Sequence, residues 1–137
     1  MTIKEYEIAL AAVCAWREAR SEGLTGMRMV LAVMANRAHN GGFGDWITVI
    51  TKRGQFSSMS IAGDSQLVLW PLNTDTFRLL LIDAEKFRNG SEVDPTNGAL
   101  YYENPKVATS KWFIDNIRGN PVDHPIVART EHHVFYK

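Results

Sequence analysis

A single cysteine, Cys14, occurs in 137 residues, so no disulfide can close within the chain and no oxidising compartment is implied. Cys14 lies in an apolar run and reads as a packed core thiol. Charge of neither sign predominates, because fifteen Lys and Arg balance fifteen Asp and Glu. The chain therefore lacks the net field that gathers nucleic acid or an anionic membrane. No stretch is long and apolar enough to span a bilayer. Met1-Thr2-Ile3-Lys4-Glu5 lacks the apolar core and cleavage site of a signal peptide, so synthesis in the cytoplasm is expected. The four histidines, His39, His124, His132 and His133, show no metal-ligand spacing, and adjacent His132 and His133 would diverge on a strand. Gly-x-Ser-x-Gly and Gly-x-x-x-x-Gly-Lys are also missing. No metal, no other cofactor, no nucleic acid and no membrane insertion are expected.

What is present is the size and composition of one domain, 1–137, with a single core. A first helix is predicted from Thr2 or Lys4 to Arg20-Ser21, and a second from Met27 to His39, capped by Thr25 and ended by Asn40-Gly41-Gly42. Asp45 caps a short helix over Trp46–Thr51, in preference to a strand. Gly54–Ser58 reads as a loop, and Asp64–Trp70 as a short helix cut by Pro71. Thr74–Phe87 is a helix with Phe77, Leu80, Leu81 and Ala84 on its buried stripe. Asp94-Pro95-Thr96-Asn97-Gly98 is turn chemistry. Ala99–Tyr102 and His132–Tyr136 read as short strands able to pair, with a helical turn over Trp112–Ile117 between them. The fold class is α+β, mainly α.

The first helix places Ala11, Cys14, Ala15, Glu18 and Glu22 on one stripe. A carboxyl at the end of such a face is costly to ionise, so its pKa should rise and it could act as a general acid. Arg17 is rotated about 100° away and should point to solvent, where screening leaves burial the stronger influence on Glu18. Periodicity alone favours the plainer reading, a Glu18 paired with a cation at a helix end. Elsewhere, aromatics sit beside amides in Gln55-Phe56, Asn97, Tyr101-Tyr102 and Tyr136, a combination suited to sugar rings and N-acetyl groups. Taken singly, Phe56 reads as a core anchor, Asn97 as a turn former, and Tyr101 and Tyr102 as alternating strand residues.

Glu18-Ala19-Arg20-Ser21-Glu22, Ala35-Asn36-Arg37 and Gly54-Gln55-Phe56-Ser57 together resemble the SleB-type cell-wall hydrolases, the spore-cortex-lytic family. So do Asp94–Tyr102, Asn104-Pro105 and His133-Val134-Phe135-Tyr136, all in the family's order from about Ala11 onward. The resemblance implies a lysozyme-like or lytic-transglycosylase-like fold that cuts peptidoglycan glycan strands between N-acetylmuramic acid and N-acetylglucosamine. It puts the family's catalytic acid on Glu18. Gln55, Phe56, Asn97, Tyr101, Tyr102, His133 and Tyr136 are then expected at the substrate, with Glu22 and Asp94 supporting and a monomer expected. Ser21 stands where the family has Gly, Arg17 where a small residue is common, and Ser58–Pro71 diverges. Without a peptidoglycan-binding repeat or leader, the sequence looks like a phage or prophage enzyme reaching the wall through a holin or in a virion.

Overall fold

The computed structural model describes residues 1–107 and 110–137. Helix α1 (Ile3–Ala19) starts at Thr2, whose hydroxyl accepts from the Glu5 amide while the Glu5 carboxylate accepts from the Thr2 amide. This reciprocal cap satisfies amides that the first turn leaves free. Ala11, Ala12, Cys14, Ala15 and Ala19 are all buried, since α1 is packed on several sides at once. Small side chains there let α2 (Gly23–His39) and α5 (Asp75–Arg88) approach it closely. The expected helix end at Arg20-Ser21 is a 3-10 turn over Arg20–Glu22, and Gly23, at φ 70°, redirects the chain into α2. Ser21 itself avoids the left-handed region, so a residue with a side chain sits there without backbone strain. Thr25 does not cap α2. It lies inside the first turn, which begins at Gly23 without a side-chain cap.

Helix α3 (Trp46–Thr51) is capped by Asp45, which accepts from the Thr48 amide at 2.8 Å. Ser57–Ser60 forms a single turn, α4, within the expected loop, and Ser65–Val68 forms a 3-10 turn capped by Asp64. Thr74 caps α5, whose Leu80, Ala84 and Phe87 enter the core. Ion pairs Arg28–Asp83 at 2.7 Å and Arg88–Glu7 at 2.6 Å tie α5 to α2 and α1. The chain then makes β1 (Tyr101–Glu103), a helical turn α6 (Lys111–Phe113) that continues as a π-turn over Ile114–Arg118, β2 (Ile126–Arg129) and β3 (Val134–Tyr136). The sheet order is β1-β3-β2, antiparallel throughout, with Tyr101 opposite Tyr136. Pairing of the first and last strands was readable from the sequence. Strand β2 was not, because it has a bulge between Ile126 and Ala128 and two exposed ends, leaving no alternating pattern. Met29 and Val33 of α2 pack on Ala99 and Phe135, which seats the sheet on the helical body.

Two expectations about single residues fail here. Arg17 does not reach solvent. It is 6% exposed, and its guanidinium donates to the carbonyls of Ser58 (3.1 Å), Leu67 (3.2 Å) and Leu69 (3.0 Å) while lying 4.5 Å over the Trp70 ring. The loop supplies a ready-made set of acceptors, and a buried guanidinium needs them more than it needs water. Asn97 does not face a cleft. It takes φ 57° in the turn before β1 and donates to the Val127 carbonyl at 3.2 Å, a tie between turn and β2.

Asp94 organises that turn. It accepts from the Thr96 amide and hydroxyl (both 2.7 Å), the Gly98 amide (2.8 Å) and the Asn36 side chain (2.9 Å). Partial burial works against its ionised form, but the bonds from Thr96, Asn36 and Gly98 outweigh it and hold the pKa below the usual aspartate value. Its contribution to stability is therefore complete above about pH 4, the unfolded-state value, and is lost as the pH falls through the lower folded-state one. Asp94→Ala should destabilise the fold by about 2–4 kcal/mol near neutral pH. Asp94→Asn should flatten the acid limb of the stability curve. Chemical denaturation at a series of pH values reads both, and an acid limb identical to wild type in Asp94→Asn would reject the assignment.

Candidate active site

Glu18 occupies the last turn of α1, above Cys14 and Ala15, both 0% exposed. Tyr102 of β1 reaches across and donates its hydroxyl to Glu18 Oε1 at 2.6 Å. Two open cavities meet at this pair. One, of about 460 Å³, is lined by Arg37, Gln55, Tyr101, Glu103 and the indole of Trp112 among others. The second, of about 600 Å³, extends the other way past Ser21, Asn104, His132 and His133. Glu18, Ser57 and Tyr102 border both, so the carboxyl stands at the waist of a continuous cleft.

Burial is the largest influence on Glu18 and raises its pKa above the ordinary glutamate value. The Tyr102 hydrogen bond opposes it, as does the nearby Ser58 hydroxyl, which makes no bond of regular geometry. Asp64 adds to the rise through repulsion, and Arg37 pulls slightly the other way. The net result is an acid that keeps its proton to higher pH. Arg17 has no part in this balance, being turned into the Ser58–Trp70 segment, so the expectation that burial outweighs the neighbouring cation holds for a different geometric reason. The cation that does face Glu18 is Arg37. Its guanidinium donates to the Leu100 carbonyl at 2.6 Å and to Gln55 Oε1 at 3.1 Å, and lies near the rings of Phe43, Phe56 and Tyr101.

Gln55, Tyr101, Tyr102 and His133 line the cleft, Gln55 with its carbonyl held by Arg37 and His133 edge-on to Tyr102 at 5.2 Å. Phe56 does not. It is fully buried beneath Tyr102, because an aromatic between two polar loop residues serves here as the loop's anchor in the core. Tyr136 does not reach the cleft either. Buried in β3, it donates to Glu103 Oε2 at 2.5 Å, and burial with that bond pushes its pKa up to about 12. Glu22 is a support: its side chain is 3% exposed and its Oε1 accepts from Thr130 (3.0 Å) and the His132 amide (2.7 Å), fastening the β2–β3 turn. Asp94 belongs to its own turn, beside α2. Glu22, Glu131 and His132 also bring one ligand atom each within 4.8 Å, the one such cluster among the described residues. Glu22 Oε1 is already bonded there and Glu131 is 81% exposed, so the cluster has the character of a turn anchor.

The residues that sequence reasoning missed are Arg37, Ser57, Glu103 and Trp112. Arg37 and Ser57 lay within the recognised blocks, but nothing in their spacing aimed them at Glu18. Glu103 is gripped by Arg118 through Nε at 2.9 Å and a second nitrogen at 2.5 Å, contacts fifteen residues apart that no periodicity predicts.

A helical body carrying a small antiparallel sheet, with a shielded carboxyl at the waist of an open cleft, defines a lysozyme-like protein. Residues 21–136 match the family described as Cell Wall Hydrolase, and the chain belongs to that family. It is 36% identical over 107 residues to a spore cortex-lytic enzyme of Bacillus cereus, spanning 77% of this chain and 38% of that protein. It is 33% identical over 130 residues to the enzyme of the same description from Halalkalibacterium halodurans, spanning 94% of this chain and 34% of that one. The chain thus spans about a third of the curated relatives it matches. Among solved structures, the catalytic domain of the Bacillus cereus SleB protein superposes with a TM-score of 0.68 at 33% identity, covering 96% of this chain and 89% of that one. The catalytic domain of the germination-specific lytic transglycosylase SleB from Bacillus anthracis gives 0.70 at 30% identity, covering 100% and 97%.

The alkaline limb of kcat/KM should lie above the ordinary glutamate pKa of about 4.3. Tyr102→Phe removes a bond that favours the carboxylate, so the limb should move further up. Arg17→Ala should leave the limb in place and lower Tm, since three loop carbonyls lose their donor. A pH profile on soluble glycan fragments, run beside a melting curve, reads all three. A limb that drops in Tyr102→Phe, or follows Arg17, would overturn the account of the acid.

Proposed function

We propose that this chain cleaves the glycan strands of peptidoglycan between N-acetylmuramic acid and N-acetylglucosamine as a lytic transglycosylase, with Glu18 as the single acid and base. The observation that carries the reading is the position of Glu18: a carboxyl with a raised pKa between two open cavities of about 460 and 600 Å³. The lytic transglycosylase named among the matched structures supports the choice of reaction.

In this mechanism protonated Glu18 gives its proton to the glycosidic oxygen as the C1–O bond breaks, and the bonding pair leaves with that oxygen. The muramic acid C1 passes through an oxocarbenium-like state. The C6 hydroxyl of the same sugar then closes on C1, and its proton goes to the Glu18 carboxylate, which restores the acid. Tyr102 keeps the carboxyl aimed between the two arms, and its hydrogen bond favours the intermediate, ionised form. Gln55, its carbonyl fixed by Arg37, leaves its amide free for an N-acetyl or hydroxyl group, while Tyr101 and Trp112 offer aromatic surface to sugar faces.

A muramidase that uses water would need a second carboxylate about 5–9.5 Å from the acid. Neither sequence candidate serves well, because Glu22 and Asp94 are occupied by turns outside the cleft. Glu103 does line it, but with Arg118 and Tyr136 on both of its oxygens. That arrangement favours the internal hydroxyl as nucleophile.

Mass spectrometry of digested peptidoglycan should show 1,6-anhydro-muropeptides. Reducing muramic ends would indicate a muramidase, freed stem peptides an amidase, and no products a glycan-binding module. Glu18→Gln should fold with unchanged melting and lose at least ~100-fold in cleavage rate. Activity within a few-fold of wild type would remove Glu18 from the mechanism.

A further inference from the structure

The second arm of the cleft does not end at His132 and His133. A side pocket of about 180 Å³ opens beyond them, sharing Asn104, His132 and His133 with that arm and reaching Lys106 and Arg129. Both cations are exposed, and among the described residues neither takes part in an ion pair. Their placement is built into the scaffold. Asn104 Oδ1 accepts from the Lys106 amide at 3.1 Å, which shapes the Asn-Pro-Lys turn, and Arg129 ends β2 opposite Val134. Glu22 fixes the turn that follows, through Thr130 and His132. Among the lining residues one carboxylate, Glu131, stands beside the two cations, while Glu22 lies behind them with its Oε1 bonded to Thr130 and the His132 amide.

We infer that this pocket receives the acidic stem peptide of the glycan strand, with Lys106 and Arg129 meeting its carboxylates. The inference rests on the glycan-strand reading of the Glu18 cleft and names the substrate class within it: strands that still carry their stems. The chemistry matches. Muramic acid bears its peptide on a lactoyl ether that projects sideways from the strand, and stem peptides carry free carboxylates. A cation-bearing pocket that shares Asn104, His132 and His133 with an arm of about 600 Å³ is where such a branch would go. Exposed cations of this kind act on encounter and ground-state binding more than on the chemical step.

The test compares wild type with the double variant Lys106→Ser/Arg129→Ser on two polymers from the same cell walls, one carrying stems and one stripped of them by an amidase. Wild type should show a KM about fivefold lower on the stem-bearing polymer, the size expected of two exposed charge contacts. The double variant should lose that preference, with kcat within about twofold on both polymers and the stripped one unaffected. Equal KM values for wild type on both polymers, or an equal loss on both in the variant, would overturn the subsite. A synthetic stem tripeptide titrated into wild type by NMR decides independently of turnover. Saturable shifts at Lys106, Arg129 and His132 that vanish in the double variant and in high salt support the pocket; their absence rejects it. If wild type cleaves neither polymer, the glycan reading fails by itself and the titration still judges the pocket.

Discussion

One hydrogen bond joins the two halves of this protein at the point that matters for chemistry, the 2.6 Å contact from Tyr102 to Glu18. It links the end of the central helix to the first strand of the sheet. Everything around it serves to hold the two partners there. The small residues of α1 let α2 and α5 close over the helix, which removes water from beneath the carboxyl. Phe56 and Phe135 sandwich the Tyr102 ring at 6.3 Å and 5.5 Å, so the phenol cannot swing away from its acceptor. Burial and the bond act oppositely on the proton, and burial prevails.

Three other carboxylates, Glu103, Glu22 and Asp94, are held by structural partners. Glu103 is held by a guanidinium and a phenol, and its pKa falls because those bonds and the Arg118 charge outweigh its burial. Glu22 is bonded to the turn between β2 and β3, and Asp94 to the turn before β1. Glu103 and Asp94 are stabilised as anions, and all three acids build scaffold. Glu18 alone combines burial with a single neutral donor of regular geometry. The contrast among these four acids, rather than any property of one, is what makes Glu18 the proposed acid.

Two stretches far apart in the sequence prove to be one feature, Arg17 and the segment Ser58–Pro71. In the fold the first grips the second, through the carbonyls of Ser58, Leu67 and Leu69 and the ring of Trp70. A loop without regular pairing leaves carbonyls in need of donors, and a guanidinium supplies several from one side chain. The same grip turns the Arg17 charge away from Glu18 and holds the turn that places Ser57 at the cleft's edge.

The sequence by itself determined helices α1, α2, α3 and α5, the cap at Asp45, the pairing of β1 with β3, and the placing of Glu18 on an apolar stripe. These are local matters of periodicity and end chemistry, legible because the interacting residues lie within a turn or two of each other. The ordered blocks added the lysozyme-like fold and pointed to the cleft residues Gln55, Tyr101, Tyr102 and His133. Tertiary structure alone decided that Phe56 and Tyr136 face inward, that Asn97 ties its turn to β2, that β2 pairs at all, and that Arg37 is the cation facing Glu18. Each of those depends on partners 30 or more residues away or on packing from a second element, as with Asn97 to Val127 or Arg37 to Leu100. An aromatic between polar neighbours looks the same in sequence whether it meets a sugar or the core. Only the neighbours brought in by folding settle which surface it covers.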